Sequence, residues 1–262
     1  GNRTTSVFDA LNREIEQIDP LGNSATFAYD AVGRMESTTD RLGRRRDFTF
    51  DEAGRVTTEE WIESSSTVNA ITWTYDANSN PLTVEDQNGI HTFTYDELDR
   101  QETVQDTNGV TLTFAYDPVG NRTVVEDSLG GTTTSTYNAV NLLTKREFDD
   151  GTTEVRLDQE YTARNELSKT TRYSDLAGTT KVGETFYTYD SVGRTTNIHH
   201  KDGNATSLAN TTWAYDLAGR VEVETIDGTP KTFTYDATNQ LTDDGANTYS
   251  FDANGNRTMS GY

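Results

Sequence analysis

The stretch Thr26–Arg34 reads TFAYDAVGR and decides the fold that this sequence predicts. Its first half alternates small polar and aromatic residues, which is the period of two expected of a strand with one half-buried face. Its second half, Asp30–Gly33, places Asp at the first position and Gly at the fourth, as type I turns prefer. The nonapeptide therefore predicts a strand that ends in a tight hairpin turn.

The same turn recurs along the whole chain as an aromatic residue, Asp, two variable residues and Gly, followed by Arg or Asn. Twelve copies, spaced by about 22 residues on average, indicate a repeat architecture. Six looser copies begin at Phe8, Tyr75, Tyr95, Tyr137, Tyr161 and Tyr235. The six clear copies are carried by Tyr29, Asp30, Gly33 and Arg34; Phe50, Asp51, Gly54 and Arg55; Tyr116, Asp117 and Gly120; Tyr189, Asp190, Gly193 and Arg194; Tyr215, Asp216, Gly219 and Arg220; and Phe251, Asp252 and Gly255.

A second Asp-x-x-Gly turn, such as Asp40–Gly43, lies between successive copies. Each repeat then holds two turns and two strands, so we predict an all-β fold: a long antiparallel meander of stacked β-hairpins, with roughly two dozen strands in a curved or spiral sheet. We expect residues 1–262 to form one array. Because Gly1–Thr4 repeats the phase of Gly255–Thr258, we also expect this array to be a fragment of a longer one.

The composition excludes several classes of function. Acidic residues outnumber Lys and Arg by 43 to 22, which gives a net charge of −21. Nucleic acid and anionic membranes require clustered Lys and Arg, so we expect neither as a partner. No run approaches the roughly 18 apolar residues of a membrane span, and the lack of Cys removes disulfides and thiolate metal sites. The 46 Thr, 13 Tyr and 10 Phe favour strands.

Three stretches, 62–70, 173–184 and 199–210, lengthen the distance between copies. We predict that all three replace or enlarge the second turn, so that one edge of the sheet is regular and the other carries longer loops. Insertions on one side of a repeat protein often mark its binding side. Neutral variation in loop length is the alternative, since long surface loops cost little stability.

The recurring residues allow two interpretations. The aromatic residues could form a ladder that holds a sugar, or they could be core residues beside an Asp that stabilises its own turn; the regular spacing favours the second. The Arg after Gly could bind an anion, but we expect it to pair with a carboxylate of a neighbouring strand. We also expect a positive φ at Gly33, Gly54, Gly193 and Gly219.

No motif for catalysis or phosphate binding is present. We therefore expect no enzyme activity, no cofactor and no metal site. His199 and His200 are adjacent and fall in one of the lengthened stretches, where we expect a solvated loop. Adjacent residues of a strand would point to opposite faces and would chelate a metal poorly.

The repeated Tyr-Asp-x-x-Gly-Arg resembles the YD repeat of the rearrangement hotspot (RHS) family over essentially the whole chain. That family includes bacterial secreted toxins, insecticidal toxin complexes, wall-associated proteins and teneurins. The resemblance implies a β-hairpin spiral that winds into a hollow shell around a polypeptide cargo, in a secreted or cell-surface protein of a bacterium. The chain has no match to the segment that follows the repeats in toxin members, so the resemblance implies a wall and no toxic domain.

Two hypotheses for function follow. The first is a non-catalytic segment of a shell that encloses and shields a toxin-like polypeptide, with flanking repeats as its immediate partners. The alternative is an adhesion module that binds a glycan or a protein through the stretches 62–70, 173–184 and 199–210. In either case, unpaired terminal strands favour self-association through the open edges of the sheet.

Overall fold

A computed structural model describes residues 3–258, so Gly1 and Asn2 of the Gly1–Thr4 match lie outside the described residues. The described part is all-β and contains 23 strands, which confirms the predicted fold class and strand number. No described segment forms a helix suited to crossing a membrane. The first twelve strands are β1 (Thr5–Phe8), β2 (Glu14–Ile18), β3 (Ser24–Tyr29), β4 (Met35–Thr39), β5 (Arg45–Phe50), β6 (Val56–Glu63), β7 (Ser66–Tyr75), β8 (Pro81–Asp86), β9 (Gly89–Tyr95), β10 (Gln101–Gln105), β11 (Thr111–Tyr116) and β12 (Arg122–Asp127).

The remaining strands follow the same alternation of strand and turn. They are β13 (Thr132–Tyr137), β14 (Leu143–Asp149), β15 (Glu154–Tyr161), β16 (Leu167–Tyr173), β17 (Lys181–Tyr189), β18 (Thr195–Asp202), β19 (Ser207–Tyr215), β20 (Val221–Ile226), β21 (Thr229–Thr232), β22 (Thr234–Tyr235) and β23 (Leu241–Asp243).

The described residues fall into two compact units. The first unit holds residues 3–115 and 125–129, and the second holds residues 116–124 and 130–258. In the first unit β1 to β11 pair antiparallel in chain order. In the second unit β13 to β21 do the same, and β22 and β23 form a separate hairpin. Within each unit the predicted antiparallel meander is confirmed.

The strand register shifts by one residue at the aromatic position of most repeats. In the β3–β4 pair, Ala28 lies opposite Ser37 whereas Tyr29 lies opposite Met35. Such a bulge accompanies a type I turn that is followed by a residue of positive φ. The same shift occurs at Phe50, Tyr75, Tyr137, Tyr161, Tyr189, Tyr215 and Tyr235.

The two faces of the strands differ in the way the sequence predicts. In β7, Thr72 and Thr74 are exposed while Trp73 and Tyr75 are half-buried. On the exposed face the Oγ1 atoms of Thr74 and Thr83 lie 2.6 Å apart, and the same Thr–Thr contact recurs on other strand pairs. Among the described large apolar residues only Phe114 is buried. Apart from the exposed Phe8, the aromatic residues of the repeated motif are half-buried. The interpretation of these aromatic residues as core residues is therefore corrected.

The prediction of longer loops is wrong for two of the three stretches, although at 62–70 the second turn is replaced, as predicted. At 62–70 the extra residues lengthen β6 and β7, which are joined by the two residues Ser64 and Ser65, with Glu63 opposite Ser66. At 199–210 they lengthen β18 and β19 around an ordinary turn at Asp202–Thr206. The physical reason is that each added residue finds a backbone partner in a longer hairpin, whereas a loop would leave it unpaired. Only 173–184 contains a longer connection, between Tyr173 and Lys181.

Candidate functional site: the aromatic–aspartate turns

Each turn of the six clear copies is closed by its Asp residue. The carboxylate Oδ1 of Asp30 accepts the backbone N–H of Val32 at 3.0 Å and that of Arg34 at 2.8 Å. The carbonyl oxygen of Asp30 accepts the N–H of Gly33 at 3.0 Å, and the N–H of Asp30 donates to the carbonyl of Arg34 at 2.8 Å. The side chain therefore satisfies backbone donors inside the turn, which explains why Asp occupies this position.

The Arg that follows Gly pairs with the Asp of its own turn. The Nε of Arg34 donates to Oδ2 of Asp30 at 2.6 Å, and Arg55 and Arg194 make the same bond to Asp51 and Asp190. The expectation that these Arg residues pair with a carboxylate of a neighbouring strand is therefore wrong. In the closed turn the Arg and Asp side chains of one repeat lie side by side, so the Arg pairs within its own repeat.

The same Arg residues also contact the following repeat. The guanidinium carbon of Arg34 lies 4.5 Å from the ring centroid of Phe50, and that of Arg55 lies 4.7 Å from Tyr75. Arg55 donates as well to the carbonyl of Asp76 at 2.7 Å. Cation–π contacts of this kind are worth about 0.5–1 kcal/mol at exposed sites. In the second unit Arg194 and Arg220 contact Tyr215 and Tyr235 in the same way.

The tyrosine hydroxyls complete the link between repeats. The hydroxyl of Tyr75 donates to the carbonyl of Val56, the residue that follows Arg55, at 2.7 Å. Thus the aromatic ring of one repeat contacts the Arg of the previous repeat, and the hydroxyl on that ring donates a hydrogen bond to the backbone of the previous repeat. Equivalent hydroxyl bonds are made by Tyr29, Tyr95, Tyr137, Tyr161, Tyr189, Tyr215 and Tyr235.

The looser copies fold as the same turn without Gly. Asn12, Ser79, Asp99, Asn141, Asn165 and Asn239 take the fourth position and have φ between 59° and 74°. Asn and Asp tolerate this region better than most residues, because their short side chains can bond locally. Asn80, which replaces Arg, donates from Nδ2 to Asp76 and to Asp99 of the next repeat. In several copies Asn or Arg follows the fourth residue of the turn, and this recurrence is the sequence signal that could have indicated contact between repeats.

The turn carboxylates titrate below their usual range. The backbone N–H of Arg55, and after it the Arg55 guanidinium, outweigh burial and hold the pKa of Asp51 below its ordinary value. The pKa of Asp96 is lowered in the same direction, first by the side chain of Arg100. Lowered carboxyl pKa values recur along the array at Asp9, Asp19, Asp30, Asp40, Asp76, Asp106, Asp117, Asp190, Asp216, Asp236 and Asp252.

Replacement of Tyr75 by Phe tests the hydroxyl link. We expect a loss of about 1 kcal/mol, because the half-buried carbonyl of Val56 loses its donor. Phe50→Tyr is the matched reverse change: its ring already receives Arg34, and the added hydroxyl is expected to reach the carbonyl of Met35 and raise stability. Urea unfolding measures both. If both variants are as stable as the parent chain, the hydroxyl bond does not contribute to stability.

The positive φ predicted for Gly33, Gly54, Gly193 and Gly219 is confirmed, with values of 93°, 83°, 88° and 85°. Replacement of Gly193 by Val is expected to cost more than about 1 kcal/mol, since β-branched residues tolerate this region badly. Gly193→Asn should cost less, because Asn already holds this position in other turns. Thermal unfolding of both variants checks the order, and an equal loss for Val and Asn contradicts it.

The other singled-out residues lie in strands. His199 and His200 are both in β18, so the predicted loop is wrong at this point. As adjacent strand residues they take separate partners: His199 Nε2 lies 3.0 Å from Ser207 Oγ, and His200 Nδ1 lies 3.0 Å from Thr185 Oγ1. Over residues 3–258 no group of three or more His, Cys, Asp or Glu is arranged to hold a metal ion.

These observations define a class of protein: an all-β repeat array whose recurrent side chains bond one repeat to the next. A family model described as RHS Repeat matches residues 8–44 and 75–111. The predicted resemblance is thereby confirmed, and the chain carries RHS repeats in these stretches. Each matched stretch contains two of the twelve copies, those that begin at Phe8 and Tyr29 and at Tyr75 and Tyr95.

A solved structure has the same fold. The crystal structure of TcdB2-TccC3-TEV matches 98% of this chain with a TM-score of 0.60 at 13% identity, and the match covers 18% of that chain. The crystal structure of TcdB2-TccC3-Cdc42 and the Photorhabdus luminescens Tc holotoxin pore each align over 91% of this chain and over 19% and 18% of theirs. Their identities are 16% and 13%, and their TM-scores are only 0.34 and 0.31. This chain thus spans about a fifth of the length of the structures it resembles. A search of curated proteins found no match.

Proposed function

We propose that this chain is a non-catalytic wall segment of an RHS-repeat shell that encloses and shields a polypeptide cargo. The observation that carries the proposal is the use of the recurrent side chains. Arg55, Tyr75 and Asp76 contact one another across the boundary between two repeats, so these recurrent groups are engaged within the array. A wall requires continuous cohesion between its elements, and this arrangement provides it in both units.

We also propose a location and immediate partners for the chain. Residues 1–262 form one array, and flanking repeats continue it on either side and pair with its terminal strands. The clear-copy residues, from Tyr29–Arg34 to Phe251–Gly255, act as structural groups. The shell belongs to a bacterial protein that is secreted or displayed at the cell surface. The support for this setting from the TcdB2-TccC3-TEV structure is limited to the similarity of its fold.

Protease protection tests the enclosure. The full-length protein that carries this array is treated with trypsin, and the fate of the polypeptide outside the array is followed by mass spectrometry. We expect that polypeptide to survive in the native protein and to be digested once the array has been unfolded. Digestion at the same rate before and after unfolding would overturn the proposal of a container.

A further inference from the structure

One face of the second unit carries two exposed arginines with a leucine between them. Arg146 in β14 lies opposite Leu157 in β15, and Leu157 lies opposite Arg172 in β16. Residues that are in register on neighbouring antiparallel strands share a face of the sheet. The three side chains therefore form a row across three strands, the Arg–Leu–Arg row. Both arginines are exposed and the leucine is half-buried.

The two arginines of this row differ from those of the repeated turns, where Arg34, for example, pairs with the Asp of its own turn. Over residues 3–258 neither Arg146 nor Arg172 forms an ion pair with a carboxylate, and their hydrogen bonds go to hydroxyl groups. The Nε of Arg146 donates to Ser135 Oγ at 3.3 Å. The Nη1 of Arg172 donates to Thr185 Oγ1 at 2.9 Å. Because a guanidinium group has five N–H donors, each arginine keeps donors for a ligand.

A buried threonine holds Arg172 in place. Thr185 is 0% exposed, and it lies between Thr170 and His200 in the strand register. Its Oγ1 atom lies 2.9 Å from Arg172 Nη1 and 3.0 Å from His200 Nδ1. One side of the guanidinium group is therefore fixed at the sheet surface while the side chain stays exposed. A guanidinium group that is oriented in advance loses less conformational entropy on binding.

The face around the row has few carboxylates. Glu147 and Asp158 adjoin the row in sequence but lie on the opposite face, because successive strand residues alternate. The row continues from Arg172 to Gly183 and then to Asp202, whose carboxylate accepts two backbone N–H groups of its own turn. Carboxylates elsewhere on the chain are screened beyond about 8 Å at physiological ionic strength. The local charge of this face is therefore positive, although the net charge of the chain is −21. The neighbours of the row on this face of β14, β15 and β16 are uncharged: Thr144, Phe148, Val155, Gln159 and Thr170.

The distance between the two arginines fits an extended polypeptide. Neighbouring strands lie 4.7–4.9 Å apart, so Arg146 and Arg172, with one strand between them, have backbones about 9.6 Å apart. In a polyproline II helix, residues three positions apart point to the same side and lie about 9.3 Å apart. Carboxylates at positions i and i+3 of such a helix match the two guanidinium groups, which bind carboxylates in a bidentate manner. The two residues between these carboxylates then lie over Leu157.

We propose that the Arg–Leu–Arg row binds an acidic polypeptide segment in the polyproline II conformation. Carboxylates at positions i and i+3 of the segment pair with Arg146 and Arg172, and apolar residues between them cover Leu157. Charge complementarity supports this partner, because the row places two arginines without carboxylate partners on one face of an acidic chain. The proposal concerns one face of the second unit and does not depend on the shell function.

An NMR titration of the intact, isotope-labelled chain at about 0.15 M salt tests the proposal. The probe is a synthetic peptide of four Glu-Pro-Pro units. We expect it to shift the Nε–H signals of Arg146 and Arg172 with a Kd of about 1 mM or tighter. Two peptides of the same length are the controls: four Gln-Pro-Pro units, which lack charge, and two Glu-Glu-Pro-Pro-Pro-Pro units, which keep the charge but have no Glu pair at i and i+3. Both should bind at least about fivefold more weakly.

Two variants of the chain complete the test. Arg146→Ala should weaken binding of the Glu-Pro-Pro peptide at least about fivefold without a change in melting temperature, because Arg146 is exposed and donates only a long bond to Ser135. Lys145→Ala is the matched control, since it removes the same charge from the same strand but on the opposite face, and it should bind like the parent.

Four results would overturn the proposal. The first is no shift at Arg146 and Arg172 with about 20 mM of the Glu-Pro-Pro peptide. The second is binding by Arg146→Ala that equals that of the parent chain, and the third is an equal loss of binding in Lys145→Ala. The fourth is equally tight binding of either control peptide.

Discussion

A chain in which Gly203 is replaced by Ala is expected to lose at least about 2 kcal/mol of stability. Gly203 lies in the turn Asp202–Thr206, and a Cβ atom at this position would overlap the backbone carbonyl oxygen of Lys181. That oxygen belongs to β17, which pairs with β18 over seven residue pairs from Gly183 to Tyr189. A backbone atom cannot move aside as a flexible side chain does, so the overlap must open the end of this strand pair.

Ala205→Gly is the matched change two residues further on. Ala205 has a φ of 67° in the same turn, which is unfavourable for Ala. Its replacement by Gly is expected to raise stability by about 0.5–1 kcal/mol. Urea unfolding at constant pH compares the parent and both variants. If Gly203→Ala is as stable as the parent chain, the close approach of this turn to β17 is wrong.

Acid is expected to unfold the array cooperatively below about pH 4. The carboxyl pKa values of the turn Asp residues are lowered in the folded chain, as at Asp51 and Asp96. Between the folded and unfolded pKa values the unfolded chain therefore binds more protons. The stability that these groups provide is fully present above the unfolded value of about 3.9 and is lost as pH falls through the folded values.

A competing effect has the opposite sign. The net charge of −21 opposes compaction at neutral pH, and protonation relieves that repulsion. We expect the turns to dominate below pH 4, because protonation weakens the bonds of each Asp to backbone N–H groups and, in turns such as Asp51–Arg55, to Arg. Circular dichroism melts from about pH 7 to 2 measure the balance. Asp190→Asn should make the acid dependence shallower, because Asn138 already closes a turn without a charge. Stability that rises steadily down to about pH 2 contradicts the account.

The strands and the regular turns could be predicted from the sequence because their chemistry is local. Asp30 and Gly33 contribute the closing bonds of their own turn, so the motif contains the information that folds it. The two-residue turn at Ser64 and Ser65 lacked such a signal. Both residues have positive φ, 50° and 66°, where Asn or Gly is usual, so no turn motif marked this hairpin. The lengthened spacing between copies therefore predicted a loop there.

The contacts between repeats could be predicted only in outline. Aromatic residues at alternate positions indicated a shared face, but the partner of Arg34 depends on how the closed turn directs its side chain. That side chain reaches Asp30 first and then the ring of Phe50, 16 positions along the chain. The exposure of Trp61 could not be predicted, because it depends on the strand lengths of the hairpin β6–β7 and on a bulge that no local motif encodes.

One face of the second unit offers a direct test of enclosure. Lys145, Asp158, Thr171, Glu184 and Lys201 lie in register across β14 to β18, so Lys145 and Lys201 share a face. Lys169, two residues from Thr171, lies on the same face, and both Lys169 and Lys201 lie over the ring of Phe186. Lys231 is in register with Glu224 and Trp213 and lies on the opposite face.

The central claim is that this array forms a wall with the cargo on one side only. Lysine cross-linking and mass spectrometry on the native full-length protein measure this most directly. We expect cross-links to the polypeptide outside the array to come from one face alone, either from Lys145, Lys169 and Lys201 or from Lys231. Cross-links to that polypeptide from both faces at equal yield, or from neither face, would contradict it.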